Sequence, residues 1–172
     1  MILRLSSKLA TKIKVTPKAV LPLEANLLAD WSGHLFTADR TQYLILTNTA
    51  SLYSAIAYAR GMTNDSLFIV RALAVIRETL ADDGLEEAYL RMIVPATGTV
   101  RFSKALNRAV IGSMNDIVNQ SKFILQERDE SPFDVARRMN EMPLSMLKYN
   151  NPRDAFLLLL KQRSADNGSS VK

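Results

Sequence analysis

The chain has no cysteine and a single histidine, His34, among its 172 residues. Without thiols it can make no disulfide, no thiolate nucleophile and no thiolate metal site. One imidazole leaves a zinc centre dependent on carboxylates for most of its ligands, an uncommon set. No metal and no cofactor is therefore expected. Glycine is sparse, and none of the six falls in the Gly-x-Gly-x-x-Gly or Gly-x-x-x-x-Gly-Lys spacing that cradles phosphate. There is no Gly-x-Ser-x-Gly nucleophile elbow. No apolar run approaches the roughly 18 residues of a membrane span. An RNase H-like metal centre would need an acid in the first strand, one on the next helix and one ending a later strand. Asp39 falls at a turn instead, Glu78 is late in its helix, and residues 88–104 contain no acid.

What is present is an ordinary globular balance, 48% hydrophobic and 23% charged. This length suits one domain with its own core. Residues 1–163 are read as that domain, and the polar stretch 164–172 as a disordered tail. The net charge of +5 is uneven, since Arg4, Lys8, Lys12, Lys14 and Lys18 all precede the first acid, Glu24. Rich in Lys and Ser, this stretch has the composition of a mitochondrial transit peptide. The reading preferred here is a first strand, Ile2 to Ser6, followed by a short helix.

The expected fold is α+β: an antiparallel sheet of three to four strands from the N-terminal third, covered by five to six helices. Runs at 34–38, 42–47 and 52–58, joined by short polar turns, read as hairpin strands. Leu67 to Leu80 is apolar nearly all round, which predicts a central buried helix stopped by Gly84. Residues 85–94 read as a further helix or a helix turning into a strand. Ser113-Met-Asn-Asp116, Ser131-Pro-Phe-Asp134 and Asn151-Pro-Arg-Asp154 each read as a helix cap followed by a carboxylate in the first turn. They predict helices over about 114–127, 132–141 and 152–162, with Gly112 separating the first from a short helix at 104–111.

Two groups of residues are candidate ligand contacts. Around the first hairpin stand Trp31, His34, Asp39, Arg40 and Asn48. A His–Asp pair suits acid–base work and an Arg suits an anion. Against this, His34 and Asp39 are five apart and point to opposite faces of a regular strand. Asp-Arg-Thr is also what a solvated turn looks like. The second group is Arg101, Lys104 and Arg108, spaced three and four apart as on one helical face, with Asn107 alongside. Such a row can hold phosphate or a nucleic-acid backbone, or be a solvated surface.

Several segments resemble an uncharacterised bacterial family catalogued only as a domain of unknown function, some of whose members are fused to an obscure plasmid-encoded domain. They are Ile2-x-Arg-Leu-x-x-Lys-Leu9, Trp31-Ser-Gly-His-Leu35, Leu46-Thr-Asn48, Phe102-Ser-Lys-Ala-Leu-Asn-Arg108 and Gly112-Ser-Met-Asn115, over roughly residues 1–125. The family commonly has two adjacent basic residues where this chain has Asp39-Arg40. The resemblance implies an intracellular bacterial protein, expected in the cytoplasm, and no activity. The leading expectation is a non-catalytic binding or regulatory module for an anionic partner, nucleic acid or phosphate, or for another protein. The alternative is an enzyme using His34 with Asp39 or Arg40, and a third reading is a structural homo-oligomer. A concave pocket lined by His34, Arg40 and Asn48 would favour the enzyme, and convergence of the two residue groups would mark a site of either kind.

Overall fold

The basic N-terminus, far from being an appendage, supplies the strand that holds the sheet together. In the computed structural model, which describes residues 1–127 and 130–169 with side chains through Ala165, Ile2–Leu5 forms β1 and Ser7–Lys12 forms α1. β1 is buried along its whole length, as a parallel strand covered on both faces must be. It lies between β2 (Asp30–Ala38) and β5 (Arg101–Lys104), parallel to both. β2 then pairs antiparallel with β3 (Thr41–Asn48), and β3 with β4 (Ser54–Tyr58). The sheet is thus five-stranded and mixed, in the order β4-β3-β2-β1-β5.

Strand alternation sends successive side chains to two separate cores. On one face Leu3, Leu5, Trp31, Leu35, Leu44 and Leu46 pack under α1, α2 (Asp65–Asp82) and Phe156 of α6 (Pro152–Ser169). On the other, Phe36, Ala38, Tyr43, Ile45 and Ile56 meet Val110, Met114, Ile117 and Val118 of α4 (Arg108–Glu127) and Val135, Ala136 and Met139 of α5 (Pro132–Asn140). The result is helix, sheet, helix. The β2–β3 hairpin closes with Asp39 at φ 42° and Arg40 at φ 61°, the two-residue geometry whose twist matches the strands. The β4 edge is capped by a side chain rather than a strand. Ser54 N donates to Asn140 Oδ1 at 2.7 Å, and Asn140 Nδ2 donates to Ser54 O at 2.9 Å, so the edge offers no free backbone pair there.

Several expectations need correction. The sheet is not purely antiparallel, because β1 and β5 add parallel pairings over long sequence separations that short-range patterns do not report. Arg101–Lys104 is a strand, so the predicted helical row through Arg108 does not exist. α4 runs unbroken from Arg108 to Glu127 and passes through Gly112, where a side chain would meet open space. Its cap is Asn107, whose Oδ1 accepts from Val110 N at 3.0 Å. Ser113 is therefore mid-helix and donates its hydroxyl to Met146 Sδ at 3.2 Å. The other two caps form as expected, Ser131 accepting from Asp134 N and Asn151 from Asp154 N.

α2 starts at its Asn64 cap and ends before Gly84, which takes φ 73°. It is more amphipathic than its composition suggests, since Val70 is 68% and Leu67 47% exposed. Residues 86–96 form a short helix, α3 (Glu86–Ala88), that continues as a π turn (Tyr89–Ile93) and a 3-10 turn (Val94–Ala96) rather than a strand. α6 continues to Ser169, past the start of the expected tail, and residues 170–172 lie outside the described residues. Among the described residues no helix is long and apolar enough to cross a membrane.

Candidate functional site

The site begins with a buried charge pair. On β1, Arg4 Nε and Nη2 donate to Asp30 Oδ1 and Oδ2 at 2.7 Å each, and both side chains are fully buried. A guanidinium fork against a carboxylate is a geometry that arginine and not lysine can make. The remaining donors reach the loop before β2, Nη1 to Leu21 O at 2.8 Å and Nη2 to Pro22 O at 3.0 Å. Ser103 Oγ on β5 accepts from Arg4 Nη1 and from Leu21 N, and Asp30 Oδ2 also accepts from Glu24 N at 2.9 Å. One arginine thereby ties three adjacent strands to the loop between α1 and β2.

Beyond the carboxyl ends of β1 and β5 a cleft of about 1040 Å³ opens between α1, the loop after it and the first turns of α4. Ligands in sheets with parallel strands commonly sit off these ends. Its polar lining includes Ser6, Ser7, Ser32, His34, Lys104 and Asn115. Gly33 also borders it, with a reason to be glycine: a Cβ there would stand 2.7 Å from Leu9 Cδ2, where α1 packs on β2.

Charge in the cleft is of one sign. Arg4, Lys14 and Lys104 line it, and among the described residues no carboxylate does. Arg4 is neutralised by Asp30, which leaves two lysines without an ion pair among the described residues. His34, on the face of β2 that meets α4, is half-buried. Burial, then the nearby charges of Lys8 on α1 and Lys122 on α4, hold its pKa below the ordinary 6.5. It is therefore neutral near pH 7, and among the described residues its imidazole has no hydrogen-bond partner, so a donor and an acceptor remain for a ligand.

The residues singled out from sequence divide sharply. His34 and Lys104, seventy positions apart and drawn from the two different groups, meet in the cleft. Asn48 is fully buried and structural: its Nδ2 donates to Leu27 O and Asp30 O, while its Oδ1 accepts from Ala50 N, Ser51 N and Ser51 Oγ. Trp31 is likewise core, donating Nε1–H to Leu28 O at 2.8 Å with its ring against Phe156. Asp39 and Arg40 stand exposed at the hairpin tip, away from the lining. Arg101 is paired with Glu24 at 2.9 Å, Asn107 is the cap of α4, and Arg108 is exposed on its first turn. Sequence reasoning missed Lys14, Ser6, Ser32 and Asn115, which line the cleft with His34, and Lys122, whose charge bears on it. Only the run of cations before Glu24 signalled any of them. Among the described residues no group of three or more His, Asp or Glu is placed to hold a metal ion.

No curated protein and no solved structure matches the chain. A family model does, over residues 2–155, a longer stretch than the segments that first suggested a likeness. It spans every strand, the Arg4–Asp30 pair and the whole cleft lining, and by it the chain belongs to the family described as Domain of unknown function (DUF6933).

Proposed function

We propose that the chain is a non-catalytic binding module whose ligand is anionic and sits in the cleft between α1 and α4. The observation that carries this is the lining itself: lysines, hydroxyls and an imidazole around one cleft, with no carboxylate among the described residues that line it. A cavity of this size is in the range of organic ligand sites, which are defined by a few convergent polar groups. Attraction to an anion there is strengthened by the partly enclosed, lower-dielectric setting. The enzyme reading needs His34 to work with Asp39 or Arg40. The charges that bear on His34 are instead Lys8 and Lys122, and both hairpin residues are exposed at the turn and outside the cleft lining.

The test is a titration with inorganic pyrophosphate at low and at physiological salt, followed by amide chemical shifts. Perturbations should cluster at residues 5–7, 32–34 and 104–115, and affinity should fall as salt rises. Lys104→Glu should weaken binding by about tenfold or more, while Arg40→Glu, the same change in net charge at the hairpin tip, should alter it by less than about twofold. Equal loss in the two variants would reduce the effect to overall charge and end the proposal.

A further inference from the structure

The cleft lining mixes polar and aliphatic groups, and this bears on the kind of anion it takes. Ser6, Ser7, His34 and Lys104 line it, with Lys14 and Thr16 from the loop after α1 and Asn115 from α4. The rest of the lining is largely aliphatic. The loop after α1 contributes Val15, Pro17 and Val20, and the first two turns of α4 contribute Val110, Ile111 and Met114. Val20 is 50% and Ile111 41% exposed, so apolar surface is left open to solvent in the same cleft as Lys14 and Lys104. Among the described residues no aromatic ring lines the cleft apart from the His34 imidazole. A nucleobase therefore has no ring on which to stack, and stacking is the usual source of affinity for bases. An aliphatic chain needs no such ring; it gains by removing its own methylenes and those of the walls from water.

Resting on the anion reading above, we propose that the ligand is an amphipathic small molecule: an aliphatic body lying between the loop and α4, ending in one anionic head, carboxylate or phosphate, at Lys104, His34 and the Ser6–Ser7 hydroxyls. The volume, about 1040 Å³, holds such a body together with its head. The charge complementarity is specific to an anion, because a cationic or zwitterionic head would meet Lys14 and Lys104 with no acid among the described lining residues to receive it.

The experiment is calorimetry with butyl phosphate, octyl phosphate, octanoate, octanol, inorganic pyrophosphate and AMP, below the aggregation threshold of each amphiphile. Each buried methylene is worth about fourfold in affinity, so octyl phosphate should bind at least about tenfold tighter than butyl phosphate, even with half the added chain exposed. Octanoate should bind and octanol should bind far more weakly. Lys104→Glu should remove the preference for octyl phosphate over octanol. Ile111→Gln, a change at an exposed helical position that leaves folding intact, should weaken octyl phosphate several-fold and leave pyrophosphate unchanged. Pyrophosphate binding that depends on Lys104, with no effect of chain length or of Ile111→Gln, would overturn the amphipathic ligand and leave the anion site standing. Tighter binding of AMP, or of a single-stranded oligonucleotide, would likewise overturn it. Absence of Lys104-dependent binding for every anion would remove both proposals.

Discussion

Arg4→Leu is expected to cost about 3–5 kcal/mol of folding stability, the range for breaking a buried ion pair by removing one partner. The reason is what remains behind. Asp30 is fully buried, and without the guanidinium its carboxylate keeps only the Glu24 amide as a donor. The carbonyls of Leu21 and Pro22 lose their partners as well. For a chain of this size the change corresponds to a fall in Tm of roughly 6–20 °C. Arg4→Leu combined with Asp30→Leu should recover part of the loss, because an apolar pair carries no stranded charge. Urea unfolding of the single and double variants checks this. A single-variant loss below about 1 kcal/mol would mean that the strands and the loop are held by something other than this pair.

Asn48→Ala is expected to cost about 2–4 kcal/mol, because Ser51 N, Ala50 N and Leu27 O lose their side-chain partner at once. The asparagine closes the turn between β3 and β4 through Ala50 and Ser51 and ties that turn to Leu27 and Asp30 across the sheet end. Its removal should lower the unfolding midpoint while leaving the cleft chemistry in the folded fraction unaltered. Pyrophosphate affinity measured well below the transition should stay within about twofold of the parent. A variant that folds as well as the parent but no longer binds would return Asn48 to the ligand site, against the geometry.

The parts of the fold that were legible in the sequence are those written in neighbouring residues. The β2–β3–β4 meander follows from alternating aromatic and branched runs with tight polar turns. α2 follows from its nearly continuous apolar run and the glycine after it. The starts of α5 and α6 follow from cap, proline and acid at Ser131 and Asn151. The parts that were not legible depend on distant partners. Ile2 pairs with both Asp30 and Arg101, and nothing local announces either contact. The same gap explains the misread row of cations. Spacings of three and four between Arg101, Lys104 and Arg108 look helical, but the pairing of Phe102 and Ser103 with β1 outweighs that pattern over four residues. Asn48 and Trp31 looked functional because residue type says nothing of burial. Lys104 and His34 were both candidates from sequence, but their meeting is a product of the sheet order.

The most direct measurement uses the fact that the chain has one histidine, whose ring protons give an isolated nuclear magnetic resonance signal. Because burial and two lysines favour its neutral form, His34 should titrate below 6.5 in the free protein. An anion bound beside it opposes those lysines and favours the protonated ring, so saturating octyl phosphate should raise that midpoint, and affinity should increase as pH falls through it. Lys8→Gln or Lys122→Gln should also raise the midpoint of the free protein. A midpoint at or above 6.5, unmoved by the anion, would show that His34 does not stand in a cationic cleft and that the ligand site lies elsewhere.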